Sequence, residues 1–83
     1  MMGKALPLRS DLSADALRAQ ARQEKKGRVV ARMLAIAHVL DGVGRAQAAR
    51  LAGLDRQALR DTVIRYNAEG VAGFHGPPVG RPG

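Results

Sequence analysis

One glycine, Gly53, constrains this chain more than any other residue. It stands between two helix-forming runs, Arg45-Ala46-Gln47-Ala48-Ala49-Arg50-Leu51-Ala52 before it and Arg56-Gln57-Ala58-Leu59-Arg60 after it, with Leu54-Asp55 between it and the second run. Glycine enters the left-handed backbone region without the clash other residues meet, so it ends the first helix cleanly. Asp55 then offers an oxygen to the unpaired amides that open the second helix. Ala48, Ala49, Ala52, Leu54 and Leu59 are small or apolar where two helices crossing steeply touch; Ala49 lies four residues before Gly53 and Leu59 six after it. The pattern predicts a helix-turn-helix over residues 45–69.

The remaining elements follow from caps and periodicity. Ser13 is a good N-cap, Leu12 and Leu17 sit where a hydrophobic staple needs them, and Asp15 suits the first turn. A helix is therefore expected from Ser13 to Lys25 or Lys26, with a thin apolar stripe at Leu17 and Ala21. Gly27 weakens its join to the next helix, Arg28 to Leu40. There Val30, Met33, Ala37 and Leu40 recur at helical spacing, widened by Val29, Leu34 and Ile36. Asp41-Gly42 ends it, with Gly42 suited to a left-handed stop. The third helix, about Arg45 to Ala52, has Gly44 as cap, and the fourth runs from Asp55 to Ala68 or Glu69 with Leu59, Val63 and Tyr66 inward. Gly70 closes it, with Val71 packing back on Tyr66 as in a Schellman stop. Beyond Gly70 the Gly/Pro-rich composition opposes a helix; Phe74 is the residue able to fold back on the bundle.

The expected fold is therefore all-α: a small, homeodomain-like helix-turn-helix bundle of about four helices. Residues 1–11 are expected as a flexible arm, 12–70 as the helical domain, and 71–83 as an irregular tail or linker. An 83-residue chain holds one small domain with little stability to spare.

Charge narrows the partner. Fourteen Lys+Arg against 7 Asp+Glu leave a formal charge of +7, which favours a polyanion, either nucleic acid or an acidic membrane. One Phe, one Tyr and no Trp offer few platforms for stacking single-stranded bases. The chain has no Cys, which excludes disulfides and thiolate zinc sites. Met1 to Arg9 has no apolar core of signal-peptide length, and the most apolar run, Met33 to Leu40, is too short for a bilayer. The expected setting is the bacterial cytoplasm, on the nucleoid through DNA.

At about 100° per residue, Arg56, Gln57, Arg60, Asp61 and Ile64 share the outward arc of the fourth helix. Arg pairs bidentately with guanine and Gln with adenine in the major groove; Asp61 accepts from cytosine or else orients Arg60 or Arg65, and Ile64 suits a thymine methyl. These five are the base-reading candidates. Arg45, Arg50 and Arg65 on the flanks, with Arg28 and Arg32 from the basic cluster Arg22-Lys25-Lys26-Arg28-Arg32, are the phosphate candidates. His38 reads as a boundary histidine of an apolar helix and His75 as isolated. The scattered acids form no acid/base couple, and no nucleophile adjoins a base, so neither metal, cofactor nor catalytic residue is expected.

Several segments together resemble the N-terminal DNA-binding region of bacterial insertion-sequence transposases of the mariner superfamily. They are Arg32-Met33-Leu34-Ala35-Ile36-Ala37, Leu40-Asp41-Gly42, the Arg45–Asp61 stretch, Arg65-Tyr66-Asn67-Ala68-Glu69-Gly70 and Gly80-Arg81-Pro82. The Arg-Tyr-Asn-x-x-Gly stop with a Gly-Arg-Pro tail is the more specific part. Two positions depart from the family pattern: Thr62 stands where a bulky residue, often Trp, is usual, and Ile64 where a polar one is common. Such transposases continue into a ribonuclease-H-like domain with three metal-binding acids, which this stretch does not supply. The resemblance thus implies sequence-specific binding of double-stranded DNA at terminal repeats, without catalysis. The partners it allows are a second copy in a homodimer and a separately encoded catalytic segment. The rival readings are a stand-alone helix-turn-helix regulator and, using an exposed stripe around Leu17, a helical protein-interaction module.

Overall fold

In the computed structural model, residues 8, 9 and 11–75 are described. They form four α-helices and one 3₁₀ helix: α1 (Ala14–Gln23), α2 (Gly27–Leu40), α3 (Arg45–Ala52), α4 (Arg56–Glu69) and η1 (Gly70–His75). No strand occurs among the described residues.

Ser13 caps α1, its hydroxyl accepting the Ala16 N–H at 3.1 Å, and Ala14, Leu17 and Ala21 are buried. The helix stops at Gln23, short of the expected Lys25 or Lys26. Its apolar stripe runs out at Ala21, and Glu24 turns extended with its carboxylate accepting the Lys26 N–H at 3.1 Å. Arg18 reaches from α1 to Asp41 at the end of α2, at 2.6 Å.

The middle of the fold is α2, which packs against α1, α3, α4 and η1. That encirclement shifts the buried stripe from the expected one. Val29, Met33, Ala35, Ile36 and Ala37 are buried, while Val30, Leu34 and Leu40 are only partly so. Burial of large side chains here, with Leu17, Val63, Tyr66 and Phe74, is the main favourable contribution to folding.

The turn between α3 and α4 matches the sequence reading. Gly53 has φ +77° and ψ 24°, and the Leu54 N–H closes on the Ala49 carbonyl at 2.8 Å. Asp55 caps α4, its carboxylate accepting the Ala58 N–H at 2.7 Å. Thr62 is buried where a bulkier residue was expected, and its hydroxyl donates to the Ala58 carbonyl at 2.8 Å, so that hydroxyl is not stranded.

Three expectations around the end of α4 need correction. Gly70 has φ +69° but ψ −145°, which is not the left-handed Schellman stop; it redirects the chain into η1. Residues 70–75 are helical, not irregular, because the turn buries Phe74 completely and stacks it on Tyr66, with ring centroids 5.1 Å apart. Leu8 and Arg9 are held against the bundle, not free in an arm. The Arg9 N–H donates to Asn67 Oδ1 at 2.9 Å, and its guanidinium donates to the Tyr66 and Asn67 carbonyls at 3.4 and 3.2 Å. The rest of the arm (1–7 and 10) and of the tail (76–83, with Gly80-Arg81-Pro82) lies outside the described residues.

Candidate nucleic-acid interface

The buried side of α4 sets its outward side. Leu59, Thr62, Val63 and Tyr66 face the core, so the arc centred near Gln57, Arg60 and Ile64 turns to solvent. Arg56, Gln57, Arg60, Asp61 and Ile64 are all exposed, Ile64 at 44%. Together they give α4 a mixed surface: two guanidiniums, an amide, a carboxylate and an aliphatic group, the chemistry a base-reading helix needs. Gln57 donates to Asp61 one turn later at 3.4 Å, and no ion pair joins Asp61 to Arg60 or Arg65 among the described residues. At that length the contact is weak and easily exchanged for another partner.

The structure gathers the flanking arginines into two groups. Arg45 joins Arg56 and Arg60 around an open cleft between the start of α3 and the first two turns of α4, floored by Ala46 and Leu59. The cleft lies at the N-terminal end of α4, and the Asp55 carboxylate that caps the helix lines it too, so three guanidiniums and one carboxylate face the cleft. Arg50 is exposed on the last turn of α3 and does not line this cleft.

The second group lies on the other flank, around η1. Arg32 is half-buried and donates to the Phe74 carbonyl at 3.1 Å, so this phosphate candidate also has a structural role that sequence did not suggest. Burial, then the nearby charges of Arg28 and Arg65, lower the Arg32 pKa from its ordinary value. Arg65 lends its backbone to the same junction: a Cβ on Gly73 would lie 2.6 Å from the Arg65 carbonyl oxygen. His75, expected to be isolated, stands 3.7 Å from Glu24.

The residue missed altogether is Arg9. Besides the α4 carbonyls, it engages Asp11 at 2.8 Å and lies 5.8 Å from the centre of the Tyr66 ring. Its hydrogen bond holds the Asp11 carboxyl below the ordinary value and raises the Arg9 guanidinium above its own. Burial chiefly raises the Tyr66 phenol, whose hydroxyl has no hydrogen-bond partner among the described residues. Only a contact 57 residues away in sequence gives Arg9 this role, and no local motif signals it.

Among the described residues, no three His, Asp or Glu side chains converge as a metal site requires, and no helix is long and apolar enough to cross a membrane.

Residues 32–83 match the family described as winged helix-turn helix. An uncharacterized protein of Sinorhizobium fredii, y4pG/y4sC, is 44% identical over 73 residues, which make up 88% of this chain and 38% of that protein. The chain thus spans well under half of the length of that relative. No solved structure matches it.

Proposed function

Because the chain belongs to the winged helix-turn-helix family, we propose that it binds double-stranded DNA sequence-specifically, with α4 in the major groove. The observation that carries this reading is the cleft rimmed by Arg45, Arg56 and Arg60 at the capped start of α4, beside the exposed arc of Gln57, Asp61 and Ile64. Arg60 reads a base edge and Arg45 holds a phosphate beside it. Ile64, an exposed aliphatic on a helix otherwise polar on that side, is suited to a thymine methyl.

Within that reading, the site is a transposon terminal repeat, and the chain is the DNA-binding module of an insertion-sequence transposase of the mariner kind. The supports are the segments that resemble that family and a relative in which the matching stretch is a minor part of a longer protein. The role of this stretch is binding, in the cytoplasm, and strand cleavage and joining belong to other sequence. A stand-alone regulator uses the same face of α4, and the sequence of the selected DNA site separates the two.

Titration of duplex DNA from low to moderate salt tests the binding. With about five to seven phosphates neutralised, log K falls against log salt with a slope of roughly −5 to −6. No binding at low salt sinks the proposal. After selection of a preferred site from random duplexes, Arg60→Ala loses about 1–3 kcal/mol on that site and relaxes one base position. Arg50→Ala instead weakens all duplexes alike. The reverse pattern means that another surface reads the bases.

A further inference from the structure

Three arginines converge on η1, on the flank of α4 away from the Arg45 cleft. Arg28 and Arg32 are one turn apart on α2. Arg32 Nη1 holds the Phe74 carbonyl at 3.1 Å, and the adjoining Gly73 is pressed against the backbone of Arg65. Two helices far apart in sequence are thereby brought together by one short turn. No carboxylate pairs with any of these arginines among the described residues. Glu24, a carboxylate on this side of the fold, accepts the Lys26 N–H and lies 3.7 Å from His75. Like charges near one another, none paired with a carboxylate among the described residues, repel, and the half-buried Arg32 loses solvation as well. Such an arrangement becomes favourable when a multiply accepting anion sits among the guanidinium forks.

We propose that Arg28, Arg32 and Arg65 form one phosphate-binding site that holds a backbone phosphodiester of the DNA duplex. The site rests on the reading of α4 as the helix in the groove. Arg56 and Arg65 are nine residues apart on α4, and so lie on opposite flanks at about 100° per residue. The triad therefore takes the strand facing away from the α3 side, and the cleft takes the other. A helix gripped on both flanks is fixed in rotation as well as in depth, which sequence reading requires. Arg32 anchors η1, while Arg28 and Arg65 close on the phosphate.

The test uses the full chain on duplex DNA, with Arg28→Ala, Arg65→Ala and the double variant. Because one phosphate is shared, the double variant makes the salt slope less negative by about 0.9, not by twice that. Over a tenfold rise in salt this is a loss of affinity smaller by about eightfold than that of the unaltered chain. Phosphate-ethylation interference shows contacts on both strands for the unaltered chain and loses one position on a single strand in the double variant. Arg28→Lys retains part of the effect, and matching circular dichroism melts show that the fold is intact. An unchanged slope and interference pattern in the double variant overturns the triad while leaving DNA binding by α4 in place. Loss of binding to phosphatidylserine vesicles, with duplex binding unaltered, overturns it too and assigns the patch to a membrane. A chain that binds no duplex at low salt overturns both the triad and the reading on which it rests.

Discussion

The two ends of α4 are built on different principles. At its start, Gly53 adopts φ +77° with no atom within 4 Å of where a Cβ would stand, and the cap is one local hydrogen bond from Asp55. At its end, Gly73 has a Cβ position only 2.6 and 2.8 Å from the Arg65 carbonyl oxygen and carbon, and Phe74 beside it is fully buried. One glycine is required by its dihedral angle and the other by lack of space. The start is therefore specified by a few neighbouring residues and stays open to solvent, as the proposed reading face requires. The far end is specified by residues from the whole chain, among them Arg9 and Arg32.

The sharpest way to break this contrast is to unload the far end. Phe74→Ala removes a fully buried ring stacked on Tyr66 and is expected to destabilise by about 3–5 kcal/mol. In a small domain with a total stability of about 5–15 kcal/mol, that leaves little margin in a thermal melt. A fall in the midpoint of only a few degrees means that η1 is not part of the core.

Gly73→Ala follows, at about 2–3 kcal/mol, since the atoms in its way are backbone and yield only if the helix and η1 part. Urea titration reads this as a lower midpoint. Gly53→Ala has the smaller expected effect, about 1–2 kcal/mol from left-handed backbone strain alone, because its surroundings are empty. If the Gly53 variant proves the less stable of the two, the comparison between the two ends is wrong. Equal stability of the Gly53 variant and the parent means that the left-handed turn does not form.

Much of the fold was legible in the sequence for local reasons. Ser13, Gly42, Gly53 and Asp55 act within a few residues of themselves, so their roles follow from residue type and position. The outward arc of α4 was legible for the same reason, as the complement of the Leu59-Val63-Tyr66 stripe. What was not legible is less regular. Composition around Gly70–His75 opposed a helix, yet the burial of one aromatic side chain outweighs those weak propensities. The buried edge of α2 was displaced because four elements pack around it, which periodicity along one helix cannot register.

The amino-acid sequence by itself determined the four helices, the turn at Gly53 and which side of α4 faces solvent. Each depends on dihedral preference, capping or helical period, all of which act over fewer than about ten residues. The tertiary structure alone decided which arginines stand together. Arg45 joins Arg56 and Arg60 at one flank of α4, Arg32 and Arg65 meet across η1 at the other, and Arg9 closes the helix from its far end. Charge has no period along the chain, and its effect depends on distances between residues from separate helices, so only packing could sort these cations into groups.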